Sequence, residues 1–162
     1  MAVILIAFAL LTYTYKRVDY PPYLLWLLSL WGLLHLAGGL LYARGDVWYN
    51  LILIDIIPTL QILKYDQAVH IYGFFTATLL IYYILRPHLT SPHIGFAVGL
   101  SIVAAGSGFG AWNEIVEFIA QATVEGANVG GYLNTSLDTI SNLVGGIGAL
   151  IFLKSLEYQK RL

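Results

Sequence analysis

The stretch VWYNLILIDIIPTLQILKYD, residues 47–66, has the length and apolarity of a membrane-spanning helix, yet Asp55 and Pro58 interrupt it. Either it spans, or it lies in the interface or re-enters. Its surroundings set the question. The chain has 162 residues, of which 59% are hydrophobic and only 10% charged. A soluble domain carries about 25% charged residues, and the mean hydropathy here is +0.75. This composition implies an integral membrane protein folded as one domain over residues 1–162. Cysteine is absent, which excludes disulfides and thiolate chemistry. The net charge of -1 and the lack of a basic tract argue against a nucleic-acid partner.

Outward from residues 47–66, apolar runs of about 17 to 25 residues mark spans. They fall at about residues 23–42, 67–85, 94–120 and 135–153, with a shorter first run at 2–15. Pro21, Pro22, Pro87 and Pro92 punctuate the joins. The first run has no basic region before it, and Lys16 and Arg17 follow it, so it reads as a retained span and not as a cleaved signal. Cation placement decides the interrupted stretch, because cytoplasmic loops carry the excess of lysine and arginine. If the stretch does not span and the N-terminus is outside, Lys16, Arg17, Arg86, Lys154, Lys160 and Arg161 are cytoplasmic. Arg44 and Lys64 are then outside, whereas a sixth span divides the eight cations almost evenly. The expected fold is therefore all-α: a polytopic transmembrane helix bundle of about five spans, N-out and C-in. Residues 47–64 form an interfacial or re-entrant segment, and the protein is a multi-pass protein of the cell membrane.

On that topology the unusual polar groups gather at one depth near the outer face. His35 and Asp46 come from the end of the second span, and Asp66 and His70 from the start of the third. Glu114 and Glu117, in AWNEIVEF, lie near the end of the fourth, and Asp138 and Asn142 in the outer part of the fifth. Spacings of three or four put Asp66 with His70, Glu114 with Glu117, and Asp138 with Asn142 on shared helical faces. Each ionisable group at the bilayer centre costs about 2.5 to 3.5 kcal/mol, and less near the interface. Acids outnumber nearby bases, so some must hold protons or share a cation. A divalent metal ion is one solution, and oxygen ligands with imidazole suit Mg, Mn, Zn or Fe.

At these residues HLAGGLLYARGD, KYDQAVHIYGF, NEIVEF and LNTSLDTISNLVGG resemble the signatures of YjdF-like predicted inner-membrane proteins. The chain is also distantly similar to VanZ-like proteins. The resemblance covers about residues 35–146 and maps onto His35, Gly38, Gly39, Tyr65, Asp66, His70, Glu114, Glu117, Asp138 and Asn142. Relatives often carry a Trp-Asp pair before the last aspartate where this chain has NTSLD, which leaves Asn134 without an assigned role. The resemblance implies a polytopic membrane protein with a polar outer cluster and implies no reaction. The VanZ-like association with glycopeptide resistance points to the cell envelope.

Each pair also has a plain reading. Glu114 and Glu117 could cap a helix end in the headgroup layer. Asp66 could favour the positive end of a helix dipole with His70 bonded to it. Asp138 and Asn142 could join helices by hydrogen bonds, and His35 could be a packing histidine. Taken together they suggest a metal-dependent, membrane-embedded hydrolase or transferase acting on a lipid or envelope precursor. His70, Glu114, Glu117 and Asp138 would hold the metal, and Asp66, His70, Glu114 and Glu117 would form the catalytic group, with Asp66 orienting His70 or acting as base. Two alternatives use the same cluster: a binder or transporter of a small cation or solute, and a non-catalytic membrane protein. Small residues in AAGSGFG (104–110) and GGIGAL (145–150) suit close helix contact, and a homodimer through such faces is a further expectation. Membrane lipids, including a lipid-linked substrate, are the expected partners.

Overall fold

A computed structural model describes residues 2–57, 59–60, 62–91, 93–124 and 130–159. The expectations for Pro58, Pro92, Lys160 and Arg161 fall outside the described residues. Among the described residues five helices form the bundle: α1 (Ala2–Thr14), α2 (Pro22–Leu40), α3 (Tyr65–Leu85), α4 (Phe96–Thr123) and α5 (Tyr132–Gln159). The four from α2 onward are long and apolar enough to cross a membrane. With 13 residues, α1 extends about 20 Å at 1.5 Å per residue, short of a hydrocarbon core of about 30 Å. The expected five spans are thus four full-length helices and a short fifth.

The stretch 47–66 is not a sixth span. After α2, two short strands, β1 (Tyr42–Ala43) and β2 (Asp46–Val47), pair antiparallel. Their turn places Arg44 at φ 56° and Gly45 at φ 86°, the left-handed pair that tight hairpins need. Trp48–Asn50 then form a 3-10 turn. The chain folds back on itself, with Leu53 and Ile54 donating to the Leu63 carbonyl and Ile56 to that of Ile62. Non-helical backbone of this kind is not tolerated against lipid in a bilayer core, so the segment closes over one end of the bundle. Ile54 and Ile56 are exposed on it. The Tyr49 hydroxyl donates to the His35 carbonyl at 2.7 Å. Its ring lies against Gly38, where a Cβ would collide with it.

Helix α3 is the core helix. It buries Val69, Phe74, Leu79 and Leu80, whereas α2 buries only Leu24, Trp31 and Gly38. Its start is held by Gln67, whose Oε1 accepts the backbone N–H groups of Leu63 and Lys64. Pro87 follows its last turn, within the 3-10 turn Arg86–His88. The small residues expected at helix contacts are used inside the bundle. A Cβ on Gly106 would run into the Thr78 hydroxyl, and one on Gly145 into the backbone carbonyl of Ile71. Neither backbone can yield at the second contact without separating α3 from α5.

Overpacking of this sort costs about 1–3 kcal/mol. Gly145→Ala should lower the thermal unfolding midpoint in detergent by several degrees. Gly32→Ala, which meets nothing within 4 Å, should leave the midpoint unchanged or raise it slightly.

Candidate functional site

The loop-covered end of the bundle gathers α2's last turns, α3's first turns, α4's last third and α5's first third. His70 is the hub. It is buried, and its Nδ1 lies 2.8 Å from Asn142 Oδ1 on α5. A carbonyl oxygen can only accept, so with this amide orientation Nδ1 carries the proton and Nε2 presents its lone pair. Nε2 faces Asp66 Oδ1 at 3.6 Å, too far for a hydrogen bond. Two ligands about 2.1 Å from one ion lie about 3.4 Å apart in tetrahedral coordination, so this gap has the size of a coordination edge.

Asp66, His70 and Asp138 each offer a donor atom within 4.8 Å of the others, and so do His70, Glu114 and Glu117. The two sets share His70. Asn134 Nδ2 donates to Asp138 Oδ2 at 2.5 Å and reaches Asp66 Oδ2 at 3.4 Å, tying the two aspartates together. On the other side Asn113 Nδ2 donates to Glu117 Oε1 at 2.6 Å, and Glu114 Oε1 lies 4.0 Å from His70 Nδ1. Among the described residues, Glu114 Oε1 and Oε2 and Asp138 Oδ1 are buried without a hydrogen-bond partner. Burying an ionised carboxylate in this state is costly, so these oxygens call for a cation or a proton. Two unit charges about 4 Å apart repel by about 4 kcal/mol at an effective dielectric constant near 20. Four carboxylates around one imidazole therefore need compensation.

The sequence-predicted residues sort as follows. Asp66, His70, Glu114, Glu117, Asp138 and Asn142 come together. Asp46 does not: it sits exposed in β2, where its carboxylate accepts the Val47 N–H and the Asn50 side-chain amide. The hairpin turns it away, since α2 ends at Leu40 and not at Tyr42. His35 borders the cluster across a small void that it lines together with His70 and Asn113, and its ring meets Tyr49 edge-on. Burial excludes the headgroup-cap reading for Glu114, which is 8% exposed. Asn142 takes the role of orienting His70, which leaves Asp66 free to act as a ligand. Asn113 was missed and Asn134 was left without a role, although each lies four residues from the acid it serves, the same spacing as Asp66 with His70 and Asp138 with Asn142. Tyr49 carried no such signal. Burial, reinforced by the nearby Asp66 and Glu117 carboxylates, pushes its hydroxyl well above the usual tyrosine range, so it remains a donor.

A cavity of about 600 Å³ opens beside the cluster under the loop. Asp66, Asn113, Glu117 and Asn134 line it, whereas His70, Glu114 and Asp138 stand behind. A family model described as "Predicted membrane protein (DUF2238)" matches residues 1–158. The chain belongs to this family. The YjdF-like resemblance fits the DUF2238 family loosely, and the VanZ-like likeness is not shown. No curated protein and no solved structure matches the chain. This DUF2238 protein is thus a multi-pass membrane protein by family and by helix length.

Removing one partner of a buried hydrogen bond costs about 1–3 kcal/mol. Asn134→Leu should therefore destabilise the protein by that amount in denaturant unfolding. The same substitution in an Asp138→Leu background should cost much less, because the bond is already gone.

Proposed function

We propose that this membrane protein holds one divalent cation between α3 and α5 and uses it in hydrolysis or group transfer on a lipid or envelope precursor. The observation that carries the reading is the His70 geometry. Its Nδ1 is committed to Asn142, its Nε2 lies 3.6 Å from Asp66, and Asp138 offers a third donor atom within 4.8 Å of the other two residues' donor atoms. Metal-ligating histidines typically donate their other ring N–H to such an oriented acceptor. Asp66, His70 and Asp138 are the ligands, Asn142 sets the ring tautomer, and Asn134 aligns the aspartates. Glu114 and Glu117 form the alternative set on the far side of the imidazole. Two carboxylates and one imidazole suit Mg, Mn, Fe or Zn.

A bound ion of this kind would polarise a phosphoryl or carbonyl oxygen and acidify a water. Glu117 lines the cavity outside the preferred ligand set, where it can accept a proton from an attacking group. A cation relay across the membrane uses the same acids, but beyond them Phe74, Leu79, Leu80 and Ile102 dominate the buried core, where Thr76 and Thr78 of α3 carry hydroxyls and no charge. That favours chemistry at one face over passage. The positive-inside rule places this face outside the cell membrane, with the N-terminus out and the C-terminus in.

Purified protein should carry about one divalent ion per chain by elemental analysis. Asp66→Asn and Asp138→Asn should lose it, and Asn142→Leu should weaken it by about 10- to 100-fold. A metal-free protein whose unfolding is indifferent to chelator would defeat the proposal. Orientation is open to a direct test because the chain has no cysteine. A single cysteine at Asn50 should react with an impermeant thiol reagent on intact cells, and one at Ser91 only after lysis.

A further inference from the structure

Beside His70, buried donors and acceptors face one another unpaired. Among the described residues, Glu114 Oε1 and Oε2 and Asn142 Nδ2 have no hydrogen-bond partner. An ionised carboxylate only accepts, and an amide nitrogen only donates. Both residues are deeply buried, Asn142 at 1% exposure and Glu114 at 8%. They converge on one ring atom: Asn142 Oδ1 lies 2.8 Å from His70 Nδ1, and Glu114 Oε1 lies 4.0 Å from it. The other half of the Asn142 amide turns to α4. A Cβ built on Gly110 would stand 2.5 Å from Nδ2, so the amide is seated where α4 has no side chain. Glu114 comes one turn later on α4, and a helical side chain leans back over the turn before it. Its carboxylate therefore leans toward the seat that holds Nδ2. Asn113, next to Glu114 in sequence, gives its amide to Glu117 at 2.6 Å and exerts a weaker pull on Glu114.

The orientation of the Asn142 amide decides the chemistry of His70. With Oδ1 toward the ring, Nδ1 keeps the proton, and Nε2 presents its lone pair toward Asp66 at 3.6 Å. With the amide turned over, Nδ2 would donate to Nδ1 and the proton would move to Nε2. The lone pair on that side would then be lost. The imidazole accepts either arrangement, so the choice falls to whatever meets the far side of the amide. A carboxylate there selects the first, because the turned amide would set its own oxygen against an acceptor and leave both unsatisfied.

We propose that Glu114 is a positioning residue and not a metal ligand. From α4, beside the gap at Gly110, it accepts Asn142 Nδ2 and fixes the amide orientation that holds His70 as its Nδ1–H tautomer. Helix α4 thus sets the state of a side chain on α3 through an amide on α5. This rests on the metal reading of the site for the use made of Nε2, and it adds an outer partner of the kind that orients metal-binding histidines. The tautomer itself can be read with or without an ion.

The test uses the full chain in detergent with isotopically labelled histidine. Nitrogen chemical shifts show which ring atom carries the proton, and His70→Gln identifies the signals. In chelator-washed protein His70 should be held as the Nδ1–H tautomer. Glu114→Leu should raise the Nε2–H form about threefold or more, and Glu114→Gln, which keeps an acceptor oxygen, should preserve the original tautomer. Gly110→Ala should act like Glu114→Leu, whereas Gly108→Ala, which meets nothing within 4 Å, should change nothing. In metal-loaded protein Glu114→Leu should weaken affinity for the divalent ion about three- to tenfold, less than Asn142→Leu does, and Glu114→Gln should leave it unchanged. An unaltered tautomer in folded Glu114→Leu protein overturns the proposal, and so does a parent protein with the proton on Nε2. Glu114→Gln decides even where Glu114→Leu does not fold: loss of the ion makes Glu114 a ligand and overturns the proposal, as does loss of the tautomer. If washing unfolds the chain, the affinity series decides by itself. A protein that holds no metal, but whose His70 tautomer depends on Glu114, refutes the metal centre alone.

Discussion

Helices α3 and α5 pack closely along one another, and at Gly145 the α5 backbone faces the carbonyl of Ile71 with no room for a side chain. Ile71 is the neighbour of His70 in sequence, and Asn142 lies one helical turn before Gly145. The close approach therefore sets the distance between the imidazole and its acceptor, 2.8 Å. Any side chain at position 145 wedges the helices apart and takes Asn142 away from His70. The tautomer of the ring, the direction of its Nε2 and its spacing to the aspartates all follow from a missing Cβ. Packing and chemistry here are one constraint seen at two levels.

The second constraint is charge. Four carboxylates on three helices surround one imidazole, and three of their oxygens are buried without a hydrogen-bond partner among the described residues. Amides answer part of the demand: Asn134 spans two aspartates, and Asn113 holds Glu117. These amides neutralise nothing. They fix the direction of each carboxylate and leave the charge to a cation or a proton. A cluster assembled only to join helices would need fewer acids and would leave fewer of their oxygens unpartnered.

The loop over this end completes the arrangement. Its apolar residues read like a helix, but its backbone doubles back through cross-chain hydrogen bonds and a left-handed Leu63 at φ 82°. Tyr49 pins it to α2 through the His35 carbonyl. The loop thereby roofs a cavity lined both by polar side chains (Asp66, Asn113, Glu117, Asn134) and by apolar ones (Val116, Leu133, Leu137).

Much of this was legible beforehand. Hydropathy placed four long helices because a bilayer demands about 20 apolar residues per crossing. Polar residues at spacings of three and four identified Asp66 with His70, Glu114 with Glu117, and Asp138 with Asn142, because such residues share a helical face. Cation placement kept residues 47–64 from being a span. Asp46 was misplaced because periodicity has no term for a two-residue hairpin turn that swings a side chain outward. Asn134 was named but given no role because this chain has NTSLD where relatives carry a Trp-Asp pair, and Asn113 was passed over because the two glutamates beside it carry the larger burial penalty. The linear chain determined which charges had to be buried and at what depth, since those costs belong to individual side chains. Only the tertiary structure decided which atoms face one another, because that depends on how closely the helices approach and how they are rotated, and Gly106, Gly110 and Gly145 are among the places where a neighbouring helix comes closest.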